Sequence, residues 1–360
     1  MKLVAESGLW TTGAQVAAPP AVAVLEVAGA VLAWTVDDPA ATAQLTFTDV
    51  AAADWLWRVA GGHGHVAVIE ALRGRAADPH ATIDIADLEL SPQMLAPLRR
   101  LALGHWLRRW WPASVRDSIA DLDIAVLDAE LAVLTAAAQE FFGEDTLDSD
   151  IEALLRPHRA ALSAHLRDGD PRVAALIEPC LEMADWAEIA EIAEPEEVSG
   201  ARRRDDYALA AGGPATSPAD TIGAGTASIS WSAVPPGIFD AAEDTVEWSV
   251  RGDGAGGAVA DLRAVVSASA AGVPVRLRSG DVIATGVLDE RGSVTLTLPI
   301  SESAAWNRDW ASTSVTVGQV GSTGEDRATR DRLRAFARSR LAVPAADAFL
   351  AEILAAESDY

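Results

Sequence analysis

The chain has 360 residues, half of them hydrophobic, and its formal net charge is -25 at pH 7. This length predicts two or three domains with cores of ordinary size. The negative charge repels nucleic-acid phosphates and anionic lipid surfaces, so it argues against both as partners. The longest apolar run, residues 21–34, is interrupted by Glu26 and is too short to cross a bilayer, so we expect no membrane span.

Cys180 is the one cysteine of the chain. A single cysteine excludes an intrachain disulfide and a thiolate metal cluster, and its apolar helical neighbours predict a buried, inert thiol. We expect a reduced, cytoplasmic setting, and residues 1–15 lack the apolar segment of a secretory signal. Arginine stands in place of lysine everywhere except at Lys2, which we interpret as the codon bias of a GC-rich bacterial genome.

Residues 1–90 are predicted to form a mixed α/β head. A short helix is expected over residues 51–59, with Asp49 as its cap and Gly61 as its stop signal. Segments rich in β-branched and aromatic residues are predicted to be strands. These segments are 22–29, 30–36, 44–50, 65–72 and 81–90.

Residues 91–192 are predicted to form an antiparallel helical bundle, because several amphipathic segments follow one another with short connections. Ser91 followed by Pro92 is a signal for a helix start. A helix beginning near Asp123 carries apolar residues at alternating spacings of four and three, and Gly143 ends it.

Three tryptophans and a proline are predicted to form a structural hinge between the head and the bundle. They are Trp106, Trp110, Trp111 and Pro112. Proline pushes the preceding residue out of the helical region, so the helix ends there. The arginines that flank the tryptophans point around the whole helix, and we expect them to pair with the acidic residues that follow. These arginines are Arg99, Arg100, Arg108 and Arg109.

Residues 193–226 are predicted to be a flexible linker, because they mix charged residues with glycine, proline and serine and show no periodicity. Residues 227–320 contain short alternating segments separated by turns, a pattern that predicts an antiparallel β-sandwich. The chain is therefore predicted to be an α+β protein of several domains, with a helical tail at residues 321–360.

Residues 271–299 carry a strand-turn-strand pattern whose matching positions are Gly272, Pro274, Val275, Asp289 and Gly292. This segment resembles the repeated unit of carboxypeptidase-regulatory-like and transthyretin-like β-sandwich domains. It departs from their pattern at Leu288, where a threonine is expected nearby. The resemblance implies an accessory domain that serves attachment or spacing and performs no chemistry.

The helical tail is rich in arginine. Residues 325–343 hold six arginines at helical spacing with apolar residues. Such a helix is a candidate interaction surface, and its candidate residues are Arg330, Arg334, Phe336 and Arg338. An alternative is that these arginines bind nucleic acid or a membrane surface, in which case binding depends on salt.

Two clusters suggest a second alternative, a metal-dependent or other hydrolase. His63 and His65 lie among glycines, and acidic residues crowd positions 117–130. Two histidines need further ligands in space, however, and acids near a helix start commonly act as caps. His158 and His165 share the core face of one helix, so we expect them to be partly buried and hydrogen-bonded.

Gly252, Gly254 and Gly257 match the spacing of a dinucleotide fingerprint, but no βαβ unit surrounds them, so a disordered loop or a hairpin loop is expected. The sequence thus predicts no catalytic, cofactor-binding or metal-binding residue and no cofactor. It favours a non-enzymatic bacterial component of protein–protein interactions, a scaffold, regulator or specificity subunit whose partner is another protein. The oligomeric state stays open.

Overall fold

The computed structural model describes residues 1–183, 221–319 and 324–358, apart from positions 13–14, 39, 41, 76, 79–80, 87, 144–145 and 148–149. In this part the chain is α+β, as the sequence predicts, with helices and antiparallel sheets. Among the same residues, no helix has both the length and the apolarity that crossing a membrane requires.

The strands are numbered in chain order. They are β1 (Lys2–Glu6), β2 (Leu9–Thr12), β3 (Val22–Val27), β4 (Ala30–Thr35), β5 (Gln44–Phe47), β6 (Thr82–Asp84), β7 (Thr221–Ala227), β8 (Val246–Gly252), β9 (Gly257–Ala264), β10 (Pro274–Ser279), β11 (Val282–Val287), β12 (Ser293–Ser301) and β13 (Ser314–Val317).

The helices follow the same convention. They are α1 (Leu56–Leu72), α2 (Pro92–Trp110), α3 (Ile124–Phe142), α4 (Ile151–Leu155), α5 (Arg159–Asp168), α6 (Pro171–Met183), α7 (Glu302–Trp306), α8 (Arg327–Ala342) and α9 (Leu350–Ser358). The chain divides into two compact units. The first comprises Met1–Trp111, Ile119–Glu191 and Asp326–Tyr360, and the second comprises Pro112–Ser118 and Ile192–Glu325.

The first unit contains a six-stranded antiparallel sheet with the strand order β3-β4-β5-β2-β1-β6. The hairpin of β1 and β2 is not among the strands that the sequence predicts for the head. The predicted strand over residues 81–90 is too long, because only Thr82–Asp84 pairs with β1.

Helix α1 differs from the structure predicted for this part of the head. The strand predicted at residues 65–72 does not form, because these residues belong to a helix that ends at Leu72. Gly61 interrupts the helix with a φ of 70° but does not stop it. After Gly61, the residues Gly64, Val68 and Leu72 are buried at a spacing of four, which places them along one face of the helix. Burial on a helical face therefore outweighs the strand preference of the β-branched residues.

The helix boundaries around α2 and α3 follow the sequence signals. Ser91 caps α2 by accepting a hydrogen bond from the backbone N–H of Met94. Asp123 caps α3 by accepting from two backbone N–H groups, and Gly143 follows the last turn with a φ of 119°. The predicted caps and stop are thus confirmed, and α3 packs against α2 in the first unit.

The second unit consists of two antiparallel sheets, β12-β9-β8-β7 and β11-β10-β13, which share one hydrophobic core. Both sheets contribute to that core, for example through Leu296 and Leu277. Gly252 and Gly257 end and begin strands that pair as a hairpin. Of the two kinds of loop expected at these glycines, the structure has the hairpin.

Strand β7 lies where the end of the flexible linker is predicted. Residues 193–220 lie outside the described residues, but Thr221–Ala227 forms a strand that pairs with β8. A Cβ at Gly223 or Gly225 would collide with the rings of Trp310 and Trp248 respectively. The alternating glycines of this strand make room for two tryptophans of the core, so a composition that is typical of a linker serves packing here.

Candidate functional site

The four predicted hinge residues have different environments. Trp106 is 2% exposed, and its Nε1 donates a hydrogen bond to the carbonyl oxygen of Pro20 at 2.6 Å. Trp110 and Trp111 are half-buried, and Pro112 is the first residue of the second unit. Trp106 therefore anchors the core of the first unit, and the hinge itself stays a prediction.

The predicted pairing of the flanking arginines with the following acids is confirmed for Arg100 and Arg108. Arg99 donates a hydrogen bond to the carbonyl oxygen of Asp38. Arg100 Nη2 lies 2.6 Å from Glu130 Oε1. Arg108 Nε lies 2.8 Å from Asp128 Oδ1 and donates a hydrogen bond to Oδ2 at 3.1 Å. His158 Nε2 lies 2.8 Å from the same Oδ2. Asp128 thus joins α2 to the turn before α5 from a fully buried position in α3.

The predicted partial burial and hydrogen bonding of the two histidines are confirmed, but the residues do not share one helix, because His158 lies in the turn before α5 and His165 lies within α5. His158 and His165 are partly buried, and each makes a hydrogen bond to an aspartate of the α3 region. His165 Nε2 lies 2.9 Å from Asp123 Oδ2. Of the acids in residues 117–130, Asp123 therefore serves as a cap, and Asp128 and Glu130 serve as ion-pair partners.

Burial shifts the pKa of two titratable groups beside these pairs. It raises the pKa of Glu130, although a backbone N–H and Arg100 oppose that shift. The pKa of His105 is lowered mainly by burial and to a smaller extent by the positive charge of Arg108. The negative charge of Asp128 opposes this shift. Both shifts favour the neutral form. Because His105 is held neutral in the folded protein, the free energy of unfolding falls as the pH drops below 6.5. Because Glu130 is held neutral as well, the free energy of unfolding falls as the pH rises above 4.5.

No metal-binding cluster of three or more histidine, cysteine or acidic side chains occurs among the described residues. His63 is exposed on α1, and His65 is partly buried on the same helix. No hydrogen bond or ion pair of the described part connects either histidine with the acids of residues 117–130. The hydrolase alternative requires the two histidines to interact with these acids, and no hydrogen bond or ion pair of the described part shows such an interaction.

Helix α8 is tied into the first unit by several of its arginines. Arg332 Nε lies 2.6 Å from Asp37 Oδ2. Arg334 is 4% exposed and pairs with Asp331. Of the predicted interaction residues, Arg330 is half-buried, Phe336 packs its ring edge-on to Trp106, and Arg338 is exposed. Most of this predicted surface therefore faces its own unit.

Two concavities lie elsewhere on the units. A groove of about 270 Å³ in the first unit is lined by apolar residues, which include Trp34 and Phe336, and by charged residues, which include Arg99 and Asp347. A shallower one of about 740 Å³ lies on the β12-β9-β8-β7 sheet. There Asp261 accepts hydrogen bonds from Thr295 Oγ1 at 2.6 Å and from Arg251 Nε at 2.5 Å. These polar groups satisfy one another across neighbouring strands.

One surface of the first unit combines exposed aromatic rings with an arginine. We call Trp57, Arg58 and Phe141 the aromatic–arginine surface. The guanidinium carbon of Arg58 lies 4.2 Å from the centroid of the Trp57 ring and 5.0 Å from that of Phe141. Both distances are within the range of cation–π attraction. Trp57 is 48% exposed and Phe141 is 39% exposed, so two large rings face solvent beside a cation.

The rotation of successive side chains around the axis of α1 places Trp57 on this surface. Trp55 is buried at the start of the helix, and its Nε1 donates a hydrogen bond to the carbonyl oxygen of Ala28 at 2.8 Å. Two residues further on, a side chain lies about 200° around the helix axis, because each residue turns the helix by about 100°. Trp57 therefore points outward. Phe142 is buried at the end of α3, which turns its neighbour Phe141 to the surface.

Among the described residues, the Arg58 guanidinium has no hydrogen-bond partner. No oxygen of the described residues accepts a hydrogen bond from its guanidinium, and its Nε is covered by neighbouring atoms without an acceptor. A buried donor without a partner costs about 1–3 kcal/mol. The surface thus keeps a cation whose hydrogen-bonding capacity is unused within the described part of the chain.

Cys180 of α6 is buried, and burial raises the pKa of its thiol to about 11. The inert thiol predicted from the sequence is therefore supported by its environment. Because alkylation requires the thiolate, we expect iodoacetamide at about pH 8 to modify the native protein on the order of a hundredfold more slowly than the urea-unfolded protein. Mass spectrometry over time measures both rates, and equal rates would contradict the buried position.

The aromatic–arginine surface is missed by sequence reasoning because Arg58 and Phe141 are far apart in the chain. The adjacent Trp57 and Arg58 are the local sequence signal, because Trp57 lies about 200° around the helix axis from the buried Val59. Comparison of the chain with protein families, with curated proteins and with solved structures finds no match.

Proposed function

We propose that the chain is a non-catalytic bacterial component of protein–protein interactions, a cytoplasmic scaffold, regulator or specificity subunit. It binds another protein through the aromatic–arginine surface. The observation that carries this proposal is the exposure of Trp57 and Phe141, whose rings both lie next to the Arg58 guanidinium. Tryptophan and arginine are enriched among the few residues that dominate binding energy in protein interfaces, and rigid rings lose little entropy on binding.

The second unit fits an accessory role in the same proposal. Its two antiparallel sheets with a common core are what a β-sandwich of the carboxypeptidase-regulatory-like or transthyretin-like type would have. In such a sandwich, Gly272 and Gly292 occupy turns, and both have positive φ values. The unit would then serve attachment or spacing, while the first unit, with its head and helical bundle, contacts the partner.

The alternatives gain less support. Binding of nucleic acid or of a membrane surface would use the arginines of α8, but Arg332 and Arg340 are engaged with carboxylates of the first unit. A hydrolase would need His63 and His65 beside the acids of residues 117–130, and those acids have other partners. We therefore retain the interaction function.

Trp57→Ala is expected to reduce binding of the partner by about 30-fold, which corresponds to about 2 kcal/mol at an interface hot spot. The measurement is quantitative mass spectrometry of proteins that co-purify with the tagged full-length chain from cells that express it naturally. A partner of this kind co-purifies in nearly stoichiometric amount with the wild type and falls with the variant.

Trp306→Ala is the matched control. Trp306 is 54% exposed in α7 of the second unit, and no arginine of the described residues stacks on its ring. We expect this variant to retain the partner at the wild-type level, with melting curves of both variants close to that of the wild type. Equal co-purification with the wild type and both variants would contradict the proposed function.

A further inference from the structure

We infer that the aromatic–arginine surface is a receptor for a carboxylate of the partner protein, a glutamate, aspartate or chain-terminal carboxyl group flanked by apolar side chains. This inference rests on the proposed function and names the chemistry of the partner. It assigns the carboxylate to Arg58 and the apolar flanks to Trp57 and Phe141.

The N–H donors of Arg58 that have no acceptor among the described residues indicate an anionic ligand. A guanidinium has five N–H donors in a planar fork and no acceptor, so it requires oxygen partners in its plane. Within the described part of the chain no oxygen accepts from Arg58, and its Nε is covered without an acceptor. By contrast, Arg100, Arg251 and Arg340 all have carboxylate partners.

The two rings favour a carboxylate within an apolar segment. They lie 4.2 Å and 5.0 Å from the guanidinium carbon, so their attraction holds the side chain of Arg58 in position. A preorganised arginine loses less freedom when it binds an anion. The exposed parts of Trp57 and Phe141 offer apolar area next to the charge, which suits a peptide with aliphatic residues beside its acid. The chain's net charge of -25 disfavours a densely charged polyanion.

A peptide titration tests the inference directly. The probe is acetyl-Leu-Glu-Leu-amide, and the matched control is acetyl-Leu-Gln-Leu-amide, which has the same shape without the charge. The full-length chain is labelled with ¹⁵N-arginine, and the Nε–Hε signal of Arg58 is assigned by its disappearance in Arg58→Lys. We expect a saturable shift of this signal with the glutamate peptide and at least about tenfold weaker binding of the glutamine peptide.

Three results would overturn the inference. One is an equal response to the two peptides, which would indicate apolar contact alone. Another is the absence of any response up to the solubility limit of the glutamate peptide. The third is tighter binding of inorganic phosphate than of the glutamate peptide, which would assign the surface to phosphorylated ligands.

Arg58→Gln separates this inference from the proposed function. In the co-purification experiment we expect it to reduce the partner at least about tenfold. Loss of the partner with Trp57→Ala but not with Arg58→Gln would overturn the carboxylate receptor and leave the interaction function intact. Binding of the glutamate peptide without any loss of partner in Trp57→Ala would support the receptor and contradict the proposed function.

Discussion

Glu352→Ala is expected to lower the free energy of unfolding of the first unit by about 3–5 kcal/mol, the cost of breaking a buried ion pair. Glu352 is 1% exposed and accepts hydrogen bonds from Arg340 at Nε (2.5 Å) and Nη2 (2.7 Å). It also accepts from the backbone N–H of Phe349 at 2.9 Å, next to the first residue of α9. The variant leaves the buried Arg340 without this counter-charge and α9 without its cap.

Glu357→Ala is the matched control for this change, because Glu357 lies on the same helix and pairs with Arg172 at the surface. Exposed ion pairs contribute about 0–1 kcal/mol. Chemical denaturation followed by circular dichroism compares the two variants with the wild type. Similar losses in both variants would contradict the account of α9 as an element anchored by a buried charge pair.

Asp128→Ala is the second change with a large expected effect, about 1–3 kcal/mol of unfolding free energy, the cost of leaving partly buried polar groups without their acceptor. Asp128 has no exposed surface, and both Arg108 and His158 approach its carboxylate. Removing it leaves two polar groups without their acceptor where α2, α3 and the turn before α5 meet. Thermal melts are expected to shift downward by an amount on the order of 5 °C.

A nearby surface pair provides the control for Asp128. Glu152 and Arg156 form an exposed pair within the α4 region at 2.8 Å, so Glu152→Ala is expected to change stability by at most about 0.5 kcal/mol. If Asp128→Ala is as mild as Glu152→Ala, the carboxylate is not the junction described for these helices.

The sequence predicted those elements whose signals are local. Ser91 and Asp123 cap helices as expected, because a cap requires only a side chain and the backbone within three residues. The α1 helix was mistaken for a strand over residues 65–72, because a short apolar run rich in valine and isoleucine fits both structures. Burial against the rest of the first unit decides between them, and this information is not local.

The same reason separates the predicted pairs from the missed surface. Ion pairs between α2 and α3 were expected because basic and acidic residues follow each other closely along the chain. The aromatic–arginine surface depends on the end of α3 meeting the start of α1. Strand β7 was hidden in the same way, since Gly223 and Gly225 acquire their role only beside Trp310 and Trp248.

Photo-cross-linking from the aromatic–arginine surface tests the central claim most directly. p-Benzoylphenylalanine replaces Phe141 in one protein and Trp306 in another, and both are irradiated in cells that express the partner. The account predicts one discrete adduct from position 141 that is suppressed by Trp57→Ala, and no such adduct from position 306. Absence of an adduct at position 141, or the same adduct from both positions in equal yield, would contradict the claim that this surface binds a partner protein.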